Sequence, residues 1–304
     1  MSTSVFKRRV IPGFGLTMGY TMLYLSLIVL IPLSTLVFKS STLGWSTFWS
    51  TVTAPVVMHS YYISFGCALA AGVVNAIAGL AVAWVLVRYR FVGRRVVDAM
   101  IDLPFALPTA VAGIALTSLY QHDGWLGSLG TSVAGWINSG ITWTNAHVST
   151  SLPAVPEKSL AWLNLDYDFT ATGISLALVF IGLPFVVRTI QPVLQDLGKE
   201  VEEAAASLGA SRWQTFRRVI FPELWPAVLT GFALSVARSL GEYGSVVFIR
   251  GNLPMKNEIA TNQIIQKLEQ YNYAGATSIA LVMLLASLVM LLLINVVEKL
   301  TVRR

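Results

Sequence analysis

EVEEAAASLGASRWQTFRRVIFP, residues 200–222, is the most charged stretch of a chain that is otherwise largely apolar. Its first part contains helix-forming residues with acidic side chains early, which suits the positive N-terminal end of a helix. Gly209 follows where a helix C-terminal cap belongs, and Ser211 and Gln214 form a Ser-x-x-Gln capping box that begins a second helix. Pro222 closes that helix or opens the next one. The stretch therefore predicts a helix, a tight glycine turn and a second helix, lying between membrane spans.

The composition around this stretch is that of a membrane protein that crosses the bilayer several times. Of the 304 residues, 55% are hydrophobic and 12% are charged, and the mean hydropathy is +0.67. An average soluble domain has about 25% charged residues. The single cysteine, Cys67, excludes a disulfide within the chain, and no spacing of ligand-type residues indicates a metal cluster. The net charge of +6 is explained by basic residues gathered on one side of the membrane, as described below, and does not indicate nucleic-acid binding.

Apolar runs predict the transmembrane helices, each of which needs about 20 residues. Only the fifth run contains both a cation and an anion, Arg238 and Glu242. Six candidate spans are present, within Leu16–Phe38, His59–Val87, Val96–Tyr120, Phe169–Val187, Leu224–Ile249 and Ala276–Val297.

The basic residues predict the orientation of these spans. With the N-terminus inside, the cytoplasmic side holds 15 Lys and Arg residues and the outer side five, while Arg238 lies within a span. This bias follows the positive-inside rule. We therefore expect both termini and residues 200–222 in the cytoplasm, and a long periplasmic loop at 121–168 whose tryptophans lie at the membrane boundary.

No catalytic site is predicted from the sequence. It contains no Gly-x-x-x-x-Gly-Lys-[Ser/Thr] phosphate-binding loop, no Ser-His-Asp arrangement and no His-Glu-x-x-His motif. If ATP drives this protein, a partner must hydrolyse it. A membrane-embedded enzyme would need paired ionisable groups at membrane depth, for which only Arg238 and Glu242 qualify. A secondary transporter driven by an ion gradient would not need the cytoplasmic hairpin.

Two intramembrane features are candidates for the translocation path or its gate. Arg238 and Glu242 are four residues apart and would share one helix face. Either Arg238 helps an anion to cross, or the two charges neutralise each other and lock the helix bundle. Pro104 and Pro108 are expected to kink the third span, where Thr109 supplies a hydroxyl. This kink is either a gate or a packing feature.

Five stretches together resemble one family. Glu203-Ala204-Ala205, Gly209 and Val219-Ile220-Phe221-Pro222 have the spacing of the EAA loop of ABC-importer permeases, with Val219 and Phe221 in place of the usual Ile and Leu. An interfacial hairpin that only shields helix ends is the structural alternative. The other stretches are Arg88-Tyr-Arg-Phe, Asp102-Leu-Pro-Phe-Ala-Leu-Pro-Thr-Ala-Val-Ala-Gly113, Gly182-Leu-Pro-Phe-Val-Val-Arg-Thr-Ile-Gln-Pro-Val-Leu194 and Arg238-Ser-Leu-Gly-Glu-Tyr-Gly-Ser245.

Over residues 11–299 the chain is similar to sulfate/thiosulfate permeases of the CysT (CysU) type. The resemblance implies an all-α membrane protein with the type I ABC-importer permease fold, multi-pass in the cell inner membrane. It implies an N-terminal tail, first helix and outer loop at 1–57, and a permease domain at 58–298. The loop at 131–165 is longer than the family norm. Molybdate and tungstate permeases share part of the pattern and are the alternative, since no anion-binding residues can be derived from the chain.

The resemblance also implies partners and site residues. The partners are a second permease of the CysW type, an ATPase dimer of the CysA type that uses the ATP, and a periplasmic sulfate-binding protein. The cargo is sulfate or thiosulfate, moving inward through a chain that binds no cofactor and contacts membrane lipid but no nucleic acid. The residues expected to couple the chain to the ATPase are Glu203, Ala204, Ala205, Gly209 and Pro222.

Overall fold

A computed structural model describes residues 14–120, 124–125, 136, 139, 171–249 and 257–302. The predicted N-terminal tail and nearly all of the predicted loop at 121–168 lie outside these residues. The helices described are α1 (Phe14–Ser40), α2 (Trp45–Val52), α3 (Pro55–Arg88), α4 (Arg94–Ile101), α5 (Leu103–Ala106), α6 (Thr109–Tyr120), α7 (Ala171–Asp196), α8 (Lys199–Ser207), α9 (Arg212–Leu240), α10 (Val246–Ile249), α11 (Ala260–Glu269) and α12 (Tyr273–Val302).

Five of these helices are long and apolar enough to cross a membrane. They are α1, α3, α7, α9 and α12, with 26 to 34 residues in each candidate span and mean hydropathies from 1.6 to 2.8. They correspond to the first, second, fourth, fifth and sixth predicted spans. The all-helical prediction is thus confirmed for the described residues, in which every regular element is a helix.

The predicted third span, Val96–Tyr120, is not one continuous helix. It consists of α4, α5 and α6, and Leu107 between the last two is extended, with φ −85° and ψ 135°. Proline disfavours the helical conformation of the residue before it, so Pro108 accounts for the break at Leu107. The predicted kink is therefore confirmed, but as an interruption. The 12 residues of α6 span only about 18 Å, less than the hydrocarbon thickness.

The predicted fifth span also has different bounds. Its helix begins at Arg212 and ends at Leu240, where Gly241 follows, so Glu242 lies beyond the helix and not on its face. Pro222 lies in the first turn of the α-helical segment Phe221–Leu240, so it opens a helix, which was the second alternative. No loop separates this segment from the earlier one, Arg212–Thr215. A π-helical turn at Phe216–Ile220 joins the two, and its wider ring accommodates the proline.

The core lies where α3, α7 and α9 pack together. Val186, Val187 and Ile190 of α7 are fully buried there. Gly182 lies so close to Asn75 and Ser235 that a Cβ would overlap both side chains. Small residues allow such close approach between membrane helices. By contrast, α1 and α12 expose most of their large apolar side chains, as lipid-facing helices do.

One end of the bundle collects the basic residues. The C-terminal ends of α3 and α7 meet there, because Arg88 donates to the carbonyl of Leu197 over 2.9 Å. The C-terminal half of α12 lies beside the middle of α9, because Thr230 donates to Glu298 over 3.0 Å. At the opposite end, Lys39 of α1 lies beside Tyr273 of α12. We call the first of these the basic end, and it carries residues 200–222.

Candidate coupling hairpin and gate

The coupling hairpin, residues 199–215, begins with a helix that ends on glycine. Glu200 and Glu202 lie in the first turn of α8, where the positive helix end favours acids. Gly209 has φ +80°. Its N–H donates to the carbonyl of Ala206 over 2.9 Å, and the N–H of Ala210 donates to the carbonyl of Ala205 over 3.0 Å. These two bonds form a Schellman cap, so the predicted glycine turn is confirmed.

The second arm of the hairpin begins with the predicted capping box. The N–H of Ser211 donates to Oε1 of Gln214 over 2.8 Å. The N–H of Gln214 donates back to Oγ of Ser211 over 3.3 Å. The backbone groups at the end of α8 and at the start of the second arm thus find their hydrogen-bond partners within the hairpin. For this reason the hairpin has a defined shape before any partner binds.

The outward surface of this hairpin is partly apolar. Leu208 is 89% exposed and Trp213 is 67% exposed, and Glu203 and Ala204 beside them are exposed as well. Ala205 is buried, so its small side chain serves packing within this chain. Exposed apolar groups of this size typically mark a contact surface.

Glu203 has no intramolecular cation in the described part of the chain. Arg212, Arg217 and Arg218 of the second arm form no ion pair with it. The exposed carboxylate of Glu203 is therefore available to a basic group of another protein.

The second candidate site surrounds the Glu242 turn, residues 241–245. Glu242 is 3% exposed. One of its oxygens, Oε2, lies 2.6 Å from Nη1 of Arg238, and the other accepts from the N–H of Ser245 over 3.0 Å and from its hydroxyl over 3.1 Å. The predicted pair between Arg238 and Glu242 therefore forms, although it joins a helix to a turn.

The broken third span packs against the Glu242 turn. A Cβ at Gly113 would overlap the backbone of Ser245, and a Cβ at Gly244 would overlap the hydroxyl of Thr109. Thr109 is half-buried in this contact, whereas Pro108 before it is exposed. The two intramembrane features predicted separately thus form one assembly, in which Thr109 and Glu242 take part directly.

A second charged cluster was not predicted from the sequence. Arg188 of α7 donates to Asp102 from Nε over 2.9 Å and from Nη2 over 2.6 Å, and to Asp98 from Nη1 over 2.7 Å. Nη1 also donates to Gln191 over 2.6 Å. The cluster holds the first part of the broken span against α7. The spacings Asp98-x-x-x-Asp102 and Arg188-x-x-Gln191, each on one helix face, were the available signal.

Within the described residues, no three His, Cys, Asp or Glu side chains are close enough to hold a metal ion. The charges instead pair with one another. Arg238 with Glu242 is neutral, and Arg188 with its two aspartates has a net charge of −1. Neither cluster has spare positive charge to attract an anion strongly.

The sequence of this chain matches those of known transport proteins. Residues 75–304 match the family model described as binding-protein-dependent transport system inner membrane component. The sulfate transport system permease protein CysT of Salmonella typhimurium is 43% identical over 295 residues, which cover 97% of this chain and 96% of the relative. The protein of the same name from Synechocystis is 46% identical over 279 residues, covering 92% and 87%.

A solved structure supports the same fold. A chain of the bacterial alginate ABC transporter, crystallised in complex with an alginate pentasaccharide-bound periplasmic protein, aligns with a TM-score of 0.68. The alignment covers 94% of this chain and 93% of that chain, at 15% sequence identity. At this identity the likeness concerns the fold, which is that of an importer permease.

Proposed function

This chain belongs to the family of binding-protein-dependent transport system inner membrane components, and we propose that it is the sulfate-moving permease subunit of an ATP-driven importer. The proposed coupling to an ATPase rests on one observation: the hairpin is capped at both ends of its turn and exposes Leu208 and Trp213 on its surface. The sequence contains none of the catalytic motifs named above, as expected for a member of a membrane-permease family.

We propose six spans with both termini in the cytoplasm. The five long helices supply five crossings, and α5 with α6 supplies the sixth as a discontinuous span. A break at membrane depth is tolerated where neighbouring helices or a cavity satisfy the backbone. The gathering of basic residues at the basic end supports placing that end, with the coupling hairpin, in the cytoplasm.

In this proposal a separate ATPase binds the coupling hairpin. Glu203 pairs with a basic group of the ATPase, Ala204 allows close approach, and Gly209 maintains the turn. No cofactor is bound by this chain, and ATP is used by the partner. Because the hairpin is capped at both ends of its turn, a movement of the ATPase is transmitted as a movement of a rigid body.

Sulfate is the proposed cargo because both curated relatives described above are named for sulfate transport. Neither of these relatives is named for molybdate transport. A second permease of the CysW type, an ATPase dimer of the CysA type and a periplasmic sulfate-binding protein complete the proposed complex. The family description, which names dependence on a binding protein, supports the last of these.

The Glu242 turn is proposed as part of the gate and not as an anion-binding site. Glu242 uses both oxygens on protein donors, and its charge cancels that of Arg238. A pathway that must release its cargo does not need a strong site. Opening would separate Gly113 from Ser245, so that Thr109 and Pro108 move with α6.

Transport by the reconstituted complex tests this proposal. The chain, the second permease, the ATPase and the binding protein are assembled in proteoliposomes, and uptake of labelled sulfate is measured with and without ATP. We expect uptake only with ATP, and no competition by a tenfold excess of molybdate, which requires discrimination of more than about 1.4 kcal/mol. Uptake that follows a proton gradient without ATP would identify a secondary transporter instead.

A further inference from the structure

Arg88, the last residue of α3, joins three elements at the foot of the coupling hairpin. Its Nη2 donates to the carbonyl of Leu197 over 2.9 Å and lies 2.8 Å from Oε1 of Glu202. Its side chain is only 10% exposed. The guanidinium also lies 5.8 Å from the centre of the Trp84 ring, one turn earlier in α3. One side chain therefore contacts the end of α7 and the start of α8.

The carbonyl of Leu197 and the carboxylate of Glu202 are both negative groups, and the positive charge of Arg88 stabilises both. Leu197 directly follows α7, and the last carbonyls of a helix lack intrahelical partners and carry the negative end of its dipole. Glu202 lies in the first turn of α8. The contact with Glu202 is an ion pair and not an aligned hydrogen bond, because that oxygen has no hydrogen-bond donor. Arg88 thus holds the corner between α7 and the coupling hairpin.

The hairpin has little else to hold it on this side. A cleft of about 520 Å³ separates it from α3, with Trp84, Tyr89, Arg212 and Phe216 in its lining. In the described residues, the Arg88–Glu202 pair is the one side-chain ion pair or hydrogen bond that links α8 to a long helix. A push on the hairpin would otherwise be absorbed by closing or opening the cleft.

We propose that Arg88 is a positioning residue for coupling, which makes α8 move together with α3 and α7. The proposal rests on the proposed function, since it requires a motor that acts on the hairpin. Without Arg88, the motor still binds and hydrolyses ATP, but part of each stroke moves the hairpin without moving the spans. Less sulfate then crosses for each ATP hydrolysed.

The test is the number of sulfate ions moved per ATP in the reconstituted complex. We expect Arg88→Ala and Glu202→Gln each to lower this ratio about fivefold, with ATPase rates near that of the wild type. Arg88→Lys should retain most of the ratio, because a single nitrogen makes both contacts. Arg90→Ala is the matched control, since Arg90 is exposed and has no ion pair among the described residues.

The outcomes separate this proposal from the proposed function. If the wild-type complex moves no sulfate with ATP, the proposed function fails. If the wild type transports and Glu202→Gln keeps the wild-type ratio, the Arg88 proposal is overturned, whatever Arg88→Ala does. The same holds if Arg90→Ala lowers the ratio as much. If Arg88→Ala fails to assemble, the result with Glu202→Gln decides, and a fall in its ratio supports the proposal.

Discussion

The coupling hairpin and the Glu242 turn each have a glycine shortly after a helix, yet they differ in what surrounds them. The turn of the hairpin is held by bonds between residues no more than five positions apart, and it exposes Leu208. The Glu242 turn also has short-range bonds, but Glu242 and Ser245 are buried and the turn packs against α6, which lies more than a hundred positions earlier in the chain. A locally determined shape can present a surface to another protein. A turn that packs against a distant segment such as α6 changes its surroundings when that segment moves, as a gate must.

The strongest way to break this comparison is to remove the buried carboxylate. Glu242→Ala leaves Arg238 without its partner and two donors of Ser245 without an acceptor. We expect a loss of stability of about 3 kcal/mol, mainly because two donors of the fully buried Ser245 lose their acceptor, whereas the Arg238 side chain is 34% exposed and keeps part of its solvation. The check is the thermal unfolding of the purified protein and its amount in membranes. Glu223→Ala, at an exposed site on α9, is the control. Equal stability of the two variants would contradict a buried network at Glu242.

The contact between α6 and the turn is tested by adding a single methyl group. Gly113→Ala places a Cβ into the backbone of Ser245, which cannot rotate away. We expect a cost of about 2 kcal/mol together with loss of uptake, because overpacking shifts the backbone. Gly66→Ala on α3 is the control, because nothing lies within 4 Å of its added Cβ. If both variants transport alike, α6 does not pack against the turn.

The hairpin should respond with lost uptake and little lost stability. Gly209 has φ +80° and open space around it, so Gly209→Val costs only the local strain of about 1–2 kcal/mol. We expect normal insertion and at least about tenfold lower uptake, since valine distorts the turn that we propose the ATPase contacts. Assembly with the ATPase and sulfate uptake are the measurements. Gly209→Asn, which tolerates this conformation, should keep most of the uptake, and normal uptake in Gly209→Val would exclude the coupling role.

The smallest structural effect is expected from Glu203→Lys. Glu203 is exposed and pairs with none of the three nearby arginines, so folding should be unchanged. Uptake should nevertheless fall, because the charge now repels the basic group expected on the ATPase. Isothermal titration with the purified ATPase would measure the lost affinity directly. Unchanged affinity would leave Glu203 without the predicted partner.

The sequence predicts features that depend on near neighbours better than features that depend on distant parts of the chain. The caps at Gly209, Ser211 and Gln214 were predictable because each uses bonds between near neighbours. The five long helices were predictable because apolar length alone defines them. The end of α9 at Leu240 was not, because Gly241 and Gly244 are followed by a further apolar run, Val246–Ile249, which made the span look continuous.

The clusters of charge show the same limit. The pair of Arg238 and Glu242 was expected from their spacing, but the two donors from Ser245 depend on the turn. Arg188 meets Asp98 and Asp102 across about 90 positions, and no local pattern in the chain specifies which helices meet. The interruption at Pro108 was visible because proline acts on the residue directly before it.

The most direct test of the account is the accessibility of the hairpin compared with that of the turn. Cysteines are introduced singly at Leu208 and at Ser245 after Cys67, the only native cysteine, is replaced by alanine. A membrane-impermeant maleimide should label position 208 in inside-out vesicles, and bound ATPase should protect it, while position 245 stays unlabelled. Labelling of position 208 only from the outside, or labelling that the ATPase does not change, would contradict the central claim that this hairpin is the docking surface of a cytoplasmic motor.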